Sequence, residues 1–537
     1  MADTDVLVVG AGPTGLALAA QLRTYGASVR IVDRRPSPER PSRALVVQPR
    51  TLEVLRPIGV TPELLARGDS DARARFHLGV CEVVVAMRDA ALGDTGFPFL
   101  LVLRQADMEA VLRDHLGRDG TTVEWGTEFV ACHQGRSGVA AVLRSAHGEE
   151  EQADARYVAG CDGSASTVRR VAGIEFVGAA YRQSVALADV SVDGDLPPEP
   201  LQAFVSVHGG LVLFAGGEHA PWRLIVVRGH RARAAGPLDA ARLASSVHEL
   251  TAGRVRVRDV AWLSDIPQQH RLAEAFRSGR ILLAGDAAHV HSPAGARGMN
   301  TGIQDACNLG WKLALVARGA GDKLLDSYDA ERRPVARTSL LLTHLIFLGE
   351  AADHPVLRWT RAAVAPFVVP VAVRMGPAVR LALRTIGQLR VSYPMGDVAV
   401  EGHPTPSGGP RAGARMSDMP LQRGGAPCRL HDVLATPGFH LLLCGTPDGW
   451  DEVAVARLRR RFDGPLRVHR ISAAPSVGGL CDPGGAALRR LGAHPTAQYL
   501  VRPDGHIGYR CAGANLDLVQ RQLASWLPGV ATSPGHR

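Results

Sequence analysis

Gly10, Gly12 and Gly15 stand in Gly10-Ala11-Gly12-Pro13-Thr14-Gly15, directly after the apolar run Val6 to Val9. Glycines so spaced build a phosphate cradle: the first permits a tight turn, the second lets the backbone approach a pyrophosphate, and the third lets a helix pack closely on its strand. Asp33 lies 18 residues past Gly15, at the end of the apolar run Val29 to Val32. That is the spacing of an acid that accepts hydrogen bonds from an adenosine ribose. Two more aspartates sit in glycine-marked turns far along the chain, Asp162 in Gly160-Cys161-Asp162-Gly163 and Asp286 in Ala284-Gly285-Asp286-Ala287. The first pattern predicts nucleotide binding and leaves NAD, NADP and FAD open.

A strand, a tight turn and a helix must hold these residues, and the flanking pattern supplies each. Val6 to Val9 reads as a strand, Leu16, Ala17, Ala19, Ala20 and Leu22 as one helix, and Val29 to Val32 as the next strand. The helix N-terminus then offers free N–H groups and a positive dipole end to a phosphate. Arg34 opens a loop rich in arginine and proline that runs to Arg43 and belongs beside such phosphates. A helical stretch from Pro49 to Leu65, broken near Pro57, precedes strands within 76–103 and an amphipathic helix from Gln105 to Leu116. Strands recur at Val139 to Leu143 and Ala155 to Ala159. From 175 to 270 strand-like runs dominate, among them Val185 to Val192, Leu211 to Phe214 and Trp222 to Val227. Alternating β and α before this block, and glycine-marked turns after it, predict one nucleotide domain interrupted by a sheet that roofs a cavity.

The expected fold class is therefore α/β. A Rossmann-like nucleotide domain in three parts, 1–75, 104–174 and 271–395, carries a β-rich substrate domain in two, 76–103 and 175–270. Residues 335–392 within it read as helices segmented by prolines. Residues 396–427, rich in Gly, Pro and Arg, read as a linker, and 428–537 as a small α/β domain.

Composition narrows the function classes. The net charge of +9 is scattered, with no basic block of five or six residues, which argues against a nucleic-acid partner. The eight cysteines form no C-x-x-C and no zinc spacing. His289 and His291 lack a third ligand at metal spacing, so no metal is expected and both read as structural or cavity-lining. The uncharged run Ala362 to Val373 holds Pro366 and Pro370 and is too short to span a membrane. Met1 leads almost directly into the first strand, so the expectation is a cytoplasmic protein without a secretion signal.

Three motifs in order, Gly10 to Gly15, Gly160-Cys161-Asp162-Gly163-Ser164-Ala165-Ser166-Thr167-Val168-Arg169 and Gly285-Asp286, resemble the flavoprotein aromatic hydroxylases, typified by para-hydroxybenzoate hydroxylase and phenol hydroxylase. The resemblance covers the chain, since the tail from Cys428 is similar to the thioredoxin-like third domain of phenol hydroxylase and of actinobacterial polyketide hydroxylases. It implies FAD as cofactor, with NADPH or NADH as a transient reductant. By it Gly10, Gly12 and Gly15 meet the pyrophosphate and Asp33 the ribose. Arg34, Arg43 and Gln105 join the FAD site, Asp162 serves the nucleotide region, and Asp286, after Gly285, accepts from the ribityl hydroxyls. Pro293, Gly298, Met299 and Asn300 lie in a glycine-bearing run against the flavin ring, with a helix starting near Asn300. Relatives with Gly-Gly-Gln-Gly in this run differ at Arg297.

The implied reaction is hydroxylation of a phenolic or polycyclic, polyketide-like aromatic through a flavin hydroperoxide, with the protein holding the ring and keeping it dry. Phe204, His208, Phe214 and Trp222 are the pocket candidates, and no catalytic base is assigned. The expected partners are the aromatic molecule and oxygen, without a membrane, and a homodimer is an open assembly. Baeyer–Villiger oxygen insertion on the same scaffold and a non-enzymic flavin sensor are the alternatives.

Overall fold

A computed structural model describes residues 3–39, 41–79, 81–89, 92–194, 196–197, 199–206, 209–228, 236–292, 295–351, 364, 366–368, 370–372, 375–476 and 478–527. His208, Pro293 and part of the run Ala362 to Val373 lie outside them. Three sheets of eight strands organise the chain. In the first, Thr4–Val9 sits centrally between the parallel strands Glu150–Gly160 and Val29–Asp33, with Ile281–Leu283 and Val123–Trp125 parallel beyond them. Val6, Leu7 and Val8 are fully buried, as an unbroken apolar run in a parallel sheet covered on both faces requires. The helix Pro13–Thr24 starts with Pro13 in its first turn, where a missing N–H costs nothing. It packs so tightly on the helix Gly298–Ala317 that a Cβ on Gly310 would lie 2.6 Å from Gln21 Cγ.

The second sheet takes Arg73–Leu78 and Cys81–Ala86 from the first half of the chain and adds strands from Phe176 to Ala273. Its two faces serve different partners because side chains alternate along a strand. Leu211, Leu213, Leu224 and Val226 bury the outer face against Leu243, Val247 and Leu250 of the helix Ala240–Leu250. On the inner face Val212 and Phe214 meet Val46 and Leu383, while Val185 and Leu187 meet Phe347. Leu383 comes from the helix Gly376–Ile386 and Phe347 from Lys323–Ala351, so two helices cover that face. Among the described residues no single helix is long and apolar enough to cross a membrane; the pieces Pro366–Ala372 and Gly376–Ile386 pass that test only together and meet at 92°.

The third sheet is built on strand, helix, strand, short strand, helix, strand, strand, helix from Phe439 to Trp526. Phe439–Gly445 runs parallel to Leu466–Ser472 and antiparallel to Thr496–Val501, which pairs Ile507–Ala512. Residues 396–427 differ from the expected linker. Val400–Glu401 adds to the edge of this sheet beside Ile507–Ala512, and Pro420–Arg423 pairs Leu480–Cys481. Buried Met416 and Met419 anchor the stretch, and Arg415 closes on Glu53 and Asp94, so apolar anchors and ion pairs order a segment whose glycines and prolines read as loose.

Candidate functional site

At the end of the strand Thr4–Val9 the chain turns through Gly10, whose φ of 103° disfavours any side chain. A Cβ there would lie 2.4 Å from Cys161 O, and one on Gly15 would lie 1.8 Å from Gly10 O. The turn therefore exists only with glycine at both positions. The first intrahelical bond runs from Leu16 N–H to Gly12 O, which leaves the preceding N–H groups pointing out of the helix end, where an anion is stabilised. Around this end opens a cleft with about 760 Å³ of empty volume, lined by Gly10, Gly12, Asp33, Arg34, Asp162 and Phe129 among others.

Asp33 is buried at the cleft floor and accepts from Ala11 N–H at 2.8 Å. The side chain of Arg35, not Arg34, closes on both its oxygens at 3.0 Å and lies over the Trp125 ring. Burial raises the Asp33 carboxyl, but Arg35 and two backbone N–H groups outweigh it and hold it below the usual carboxylate range. Arg34 is exposed on the cleft wall. Arg35 stood unmarked in the same arginine-rich loop; its proximity to the acid at the strand end was the signal. Asp162, also on the cleft wall, accepts from Thr167 N–H and Val168 N–H and from Ser166 Oγ. It thus closes the N-terminus of the short helix Thr167–Val171, and burial raises its carboxyl.

The distant Gly285-Asp286 turn reaches the same place through Thr14. A Cβ on Gly285 would lie 2.5 Å from Thr14 Oγ1, and one on Gly302 would lie 2.4 Å from it and 3.2 Å from Gly285 Cα. The first glycine turn, the aspartate turn and the helix Gly298–Ala317 are in van der Waals contact at that threonine. Asp286 is exposed beside it. The acid that fixes the turn is Asp305, which the motifs did not mark. Wholly buried, it accepts from Gly285 N–H at 3.1 Å and from Arg332 Nε at 2.7 Å, and pairs with His289 Nε2 at 2.6 Å. Burial pushes the Asp305 carboxyl up, yet Arg332 and His289 bring it below the ordinary range. His289 is accordingly structural, and among the described residues no group of three His, Cys, Asp or Glu suits a metal.

The run 295–300 packs against the 46–51 segment as a separate wall, away from the residues that line the cleft. Its helix starts at Gly298, two residues before the expected Asn300. Asn300 is fully committed: its Oδ1 accepts from Gln48 N–H and Thr51 Oγ1, and its Nδ2 donates to Val46 O and Ala296 O. It latches the wall to the 46–51 segment. Met299 packs half-buried against the main core. Arg43 is exposed, with its N–H on Gln105 Oε1 at 3.4 Å, while Gln105 Nε2 donates to Glu109. The 42–46 loop is bound to the second sheet by a buried ion cluster absent from the expectations. Arg223 closes on Asp189 at 2.5 Å and donates to Ser42 O, and Ser42 N–H donates to Glu218. Asp189 and Arg223 interrupt the apolar runs Val185 to Val192 and Trp222 to Val227, and charges inside such runs were the signal.

The pocket candidates separate. Phe214 lies on the inner face, next to Ala296 of the 295–300 wall. Phe204 stacks on His77 at 4.1 Å in the core of the outer face, and half-buried Trp222 packs against that core, so both are corrected to the outer layer. Strand alternation is the reason: Phe204 adjoins inner-facing Ala203, and Trp222 is in register with Ala215 rather than Phe214.

Taken together, glycine-only turns, a ribose-spaced carboxylate and an open helix N-terminus fit the nucleotide half of FAD. Gln48 Oε1, His291 Nε2 and Arg297 Nε are buried without partners around the 295–300 wall, as polar atoms meant for a bound ring system would be. Comparison with known proteins agrees. Residues 3–341 match the family model described as FAD binding domain, and 409–529 the model described as aromatic-ring hydroxylase, C-terminal. The chain is 35% identical to 6-methylpretetramide 4-monooxygenase of Streptomyces rimosus over 99% of its own length and 95% of the relative's. It is 32% identical to a rifampicin monooxygenase of Streptomyces venezuelae, over 98% and 99% of the two chains. An anhydrotetracycline hydroxylase from Streptomyces rimosus superposes with a TM-score of 0.77 at 29% identity, covering 98% of this chain and 99% of that one. Aklavinone-11 hydroxylase, solved with FAD and aklavinone, gives 0.79 at 25%, covering 99% and 100%.

Proposed function

Since the chain belongs to the FAD-dependent aromatic-ring hydroxylases and is a flavoprotein monooxygenase of that family, we propose that it hydroxylates a polycyclic, phenolic substrate of polyketide type, with NADPH or NADH as transient reductant. The observation that carries this reading is the apolar inner face of the second sheet, which meets the 295–300 wall at Ala296 and Phe214. When bound, FAD supplies the redox chemistry, accepting hydride from the nicotinamide and activating oxygen. The chain's own residues do the rest. The Gly10–Gly15 turn and helix end bind the pyrophosphate, Asp33 the adenosine ribose, and Asp286 the ribityl chain. Gly298 to Asn300 orient the ring edge, and the helix N-terminus there favours negative charge on it. Val212, Phe214 and Leu383 exclude water from the reacting carbon, which keeps activated oxygen from being lost as peroxide.

The relatives named above include proteins that act on 6-methylpretetramide, anhydrotetracycline and aklavinone, which supports a fused-ring substrate over a single phenol. The order of strands and helices from Phe439 to Trp526 supports a thioredoxin-like reading of the C-terminal body. All eight cysteines are free, and Cys444 and Cys307 are buried and pushed upward by desolvation, which suits packing rather than thiol exchange. They also suit the reducing cytoplasm as its setting. The test is to purify the protein, read its visible spectrum, and screen phenols and fused-ring polyketides for ligand-stimulated NAD(P)H oxidation. Product with oxygen on an intact ring carbon supports the reading. Oxygen inserted into the ring, or FAD-loaded protein that oxidises NAD(P)H with none of these ligands, overturns it.

A further inference from the structure

Arg297 is 6% exposed and occupies the N-cap position of the helix Gly298–Ala317. Its Nη1 donates to Thr385 O at 3.1 Å and its Nη2 to Ser339 Oγ at 3.3 Å, both neutral acceptors, and its Nε is buried without a partner. Arg223, Arg332, Arg415 and Arg502 are as deeply buried, and each closes on a carboxylate. Arg297 has none among the described residues: burial alone acts on it and pulls it down to about 10. The two helix ends beside it do not neutralise it. Thr385 belongs to the last turn of Gly376–Ile386 and brings a partial negative charge, but the N-terminus of Gly298–Ala317 brings an equal partial positive one. A full positive charge remains inside the protein.

Its position gives that charge a use. The Gly295 site lies 3.7 Å from Arg297 Cγ and 3.8 Å from Ile346 Cδ1, measured from a built Cβ. Ile346 packs with Leu187 and Ile225, and Ala296 with Phe214 and Ile225. Arg297 therefore sits where the two apolar clusters of the inner face meet. His291 Nε2, a second buried atom without a partner, lies on the same wall, with Cε1 3.7 Å from a Cβ built on Gly298. An apolar floor with one uncompensated cation is complementary to an aromatic acid, because a buried charge is tolerated best when an opposite charge completes it.

We propose that Arg297 seats an anionic oxygen of the substrate, a phenolate or carboxylate, and so selects acidic fused-ring aromatics over neutral ones. The inference rests on the hydroxylase reading for the identity of the pocket's occupant. The probe is 1,2-dihydroxyanthraquinone, whose visible band reports ionisation of its phenol, with its dimethyl ether as the neutral partner, titrated into the FAD-loaded protein. The wild type is expected to lower the bound dye's apparent pKa by about one unit or more, a tenfold preference for the phenolate. Arg297→Lys keeps most of that shift, Arg297→Gln loses it, and the ether binds all three alike. An equal shift in wild type and Arg297→Gln overturns the proposal. So does a wild type that binds the ionised dye no tighter than the ether, an outcome readable even where Arg297→Gln fails to fold. Product analysis in parallel separates the two readings. An Arg297-dependent shift with no oxygenated product from any ligand sinks the hydroxylase and leaves the anion seat standing. Hydroxylation of neutral aromatics at equal rates by wild type and Arg297→Gln sinks the seat alone.

Discussion

Removing Arg502 should unseat the C-terminal body from the cofactor-binding half. The residue is 1% exposed; its Nη2 donates to Glu331 Oε2 at 2.9 Å and to Asp504 Oδ2 at 2.5 Å, and its Nη1 to Val398 O at 3.2 Å. Lys312 Nζ donates to the same Glu331 at 2.7 Å, and Asn308 bridges Glu331 and Asp504. Lys312 and Arg502 thus balance Glu331 and Asp504, two charges against two. Replacing Arg502 with Met, which fills the space over Trp311 and Tyr393, leaves one net negative charge with no access to water. Breaking a buried pair from one side costs about 3–5 kcal/mol, a large share of the about 5–15 kcal/mol that holds a folded protein together. Arg502→Met with Glu331→Gln restores one charge against one. The double variant should therefore lose less than the sum of the singles, by about 1–3 kcal/mol. Urea unfolding followed by tryptophan fluorescence measures all four corners of the cycle. A loss under about 1 kcal/mol for Arg502→Met, or strict additivity in the double variant, refutes the argument that charge balance, rather than packing, closes this junction.

Other perturbations probe the cradle and its supports. Gly15→Ala places a carbon 1.8 Å from Gly10 O, so the purified variant should lack flavin absorbance, whereas Gly117→Ala, with nothing within 4 Å, should bind FAD normally; a yellow Gly15→Ala protein would refute the steric argument. Asp305→Asn strips the charge from a wholly buried site facing Arg332, which should cost about 3–5 kcal/mol and lower the FAD-to-protein ratio through the loosened Gly285 turn, as read by thermal melting and absorbance. Burial outweighs Glu331 and holds Lys312 down to about 8, from an ordinary value of 10.5. The folded chain then sheds that proton before the unfolded chain does, so stability of the wild type relative to Lys312→Met should rise between pH 8 and 10.5, and a flat difference across that range contradicts the assignment.

How much of this was legible depended on whether a role is local. The strand, turn and helix around Gly10 to Gly15, the strand that ends at Asp33 and the strands of the second sheet were readable because each is written in a few adjacent residues or in a period of two. The helix Pro49–Leu65 was even expected to break at Pro57, and it does, as Pro49–Leu55, a single tight turn at Arg56–Ile58 and Thr61–Arg67. Asp305 was not readable. It sits inside a continuous helix, and what makes it matter, Gly285, His289 and Arg332, comes from three other elements. Phe204 and Trp222 show the complementary failure. Strand runs announce themselves, but a one-residue shift along a strand exchanges inner for outer face, and only the register against Phe214 decides it. The 396–427 stretch failed for a third reason: Met416, Met419 and Arg415 order it through contacts with residues as far back as Glu53.

The two ends of the proposed cofactor site also differ in how their charge is managed, and the difference follows the chemistry. At the proposed adenosine end the acid is paired with a dedicated cation: Arg35 closes on both oxygens of Asp33. At the aspartate turn Asp305 is closed in the same way by Arg332, and the turn is rigid in consequence. At the 295–300 run the fold leaves a buried cation without a carboxylate among the described residues, Arg297, with the positive end of Gly298–Ala317 beside it, while Arg169, as deeply buried, rests on Ala287 O and Ser164 O. On the proposed reading, a reduced flavin or an ionised phenol would bring negative charge to the 295–300 run, as the pyrophosphate would to the Gly10–Gly15 helix end. A protein gains nothing by neutralising in advance a place where its ligands bring the missing charge, and it gains affinity by leaving that place to them.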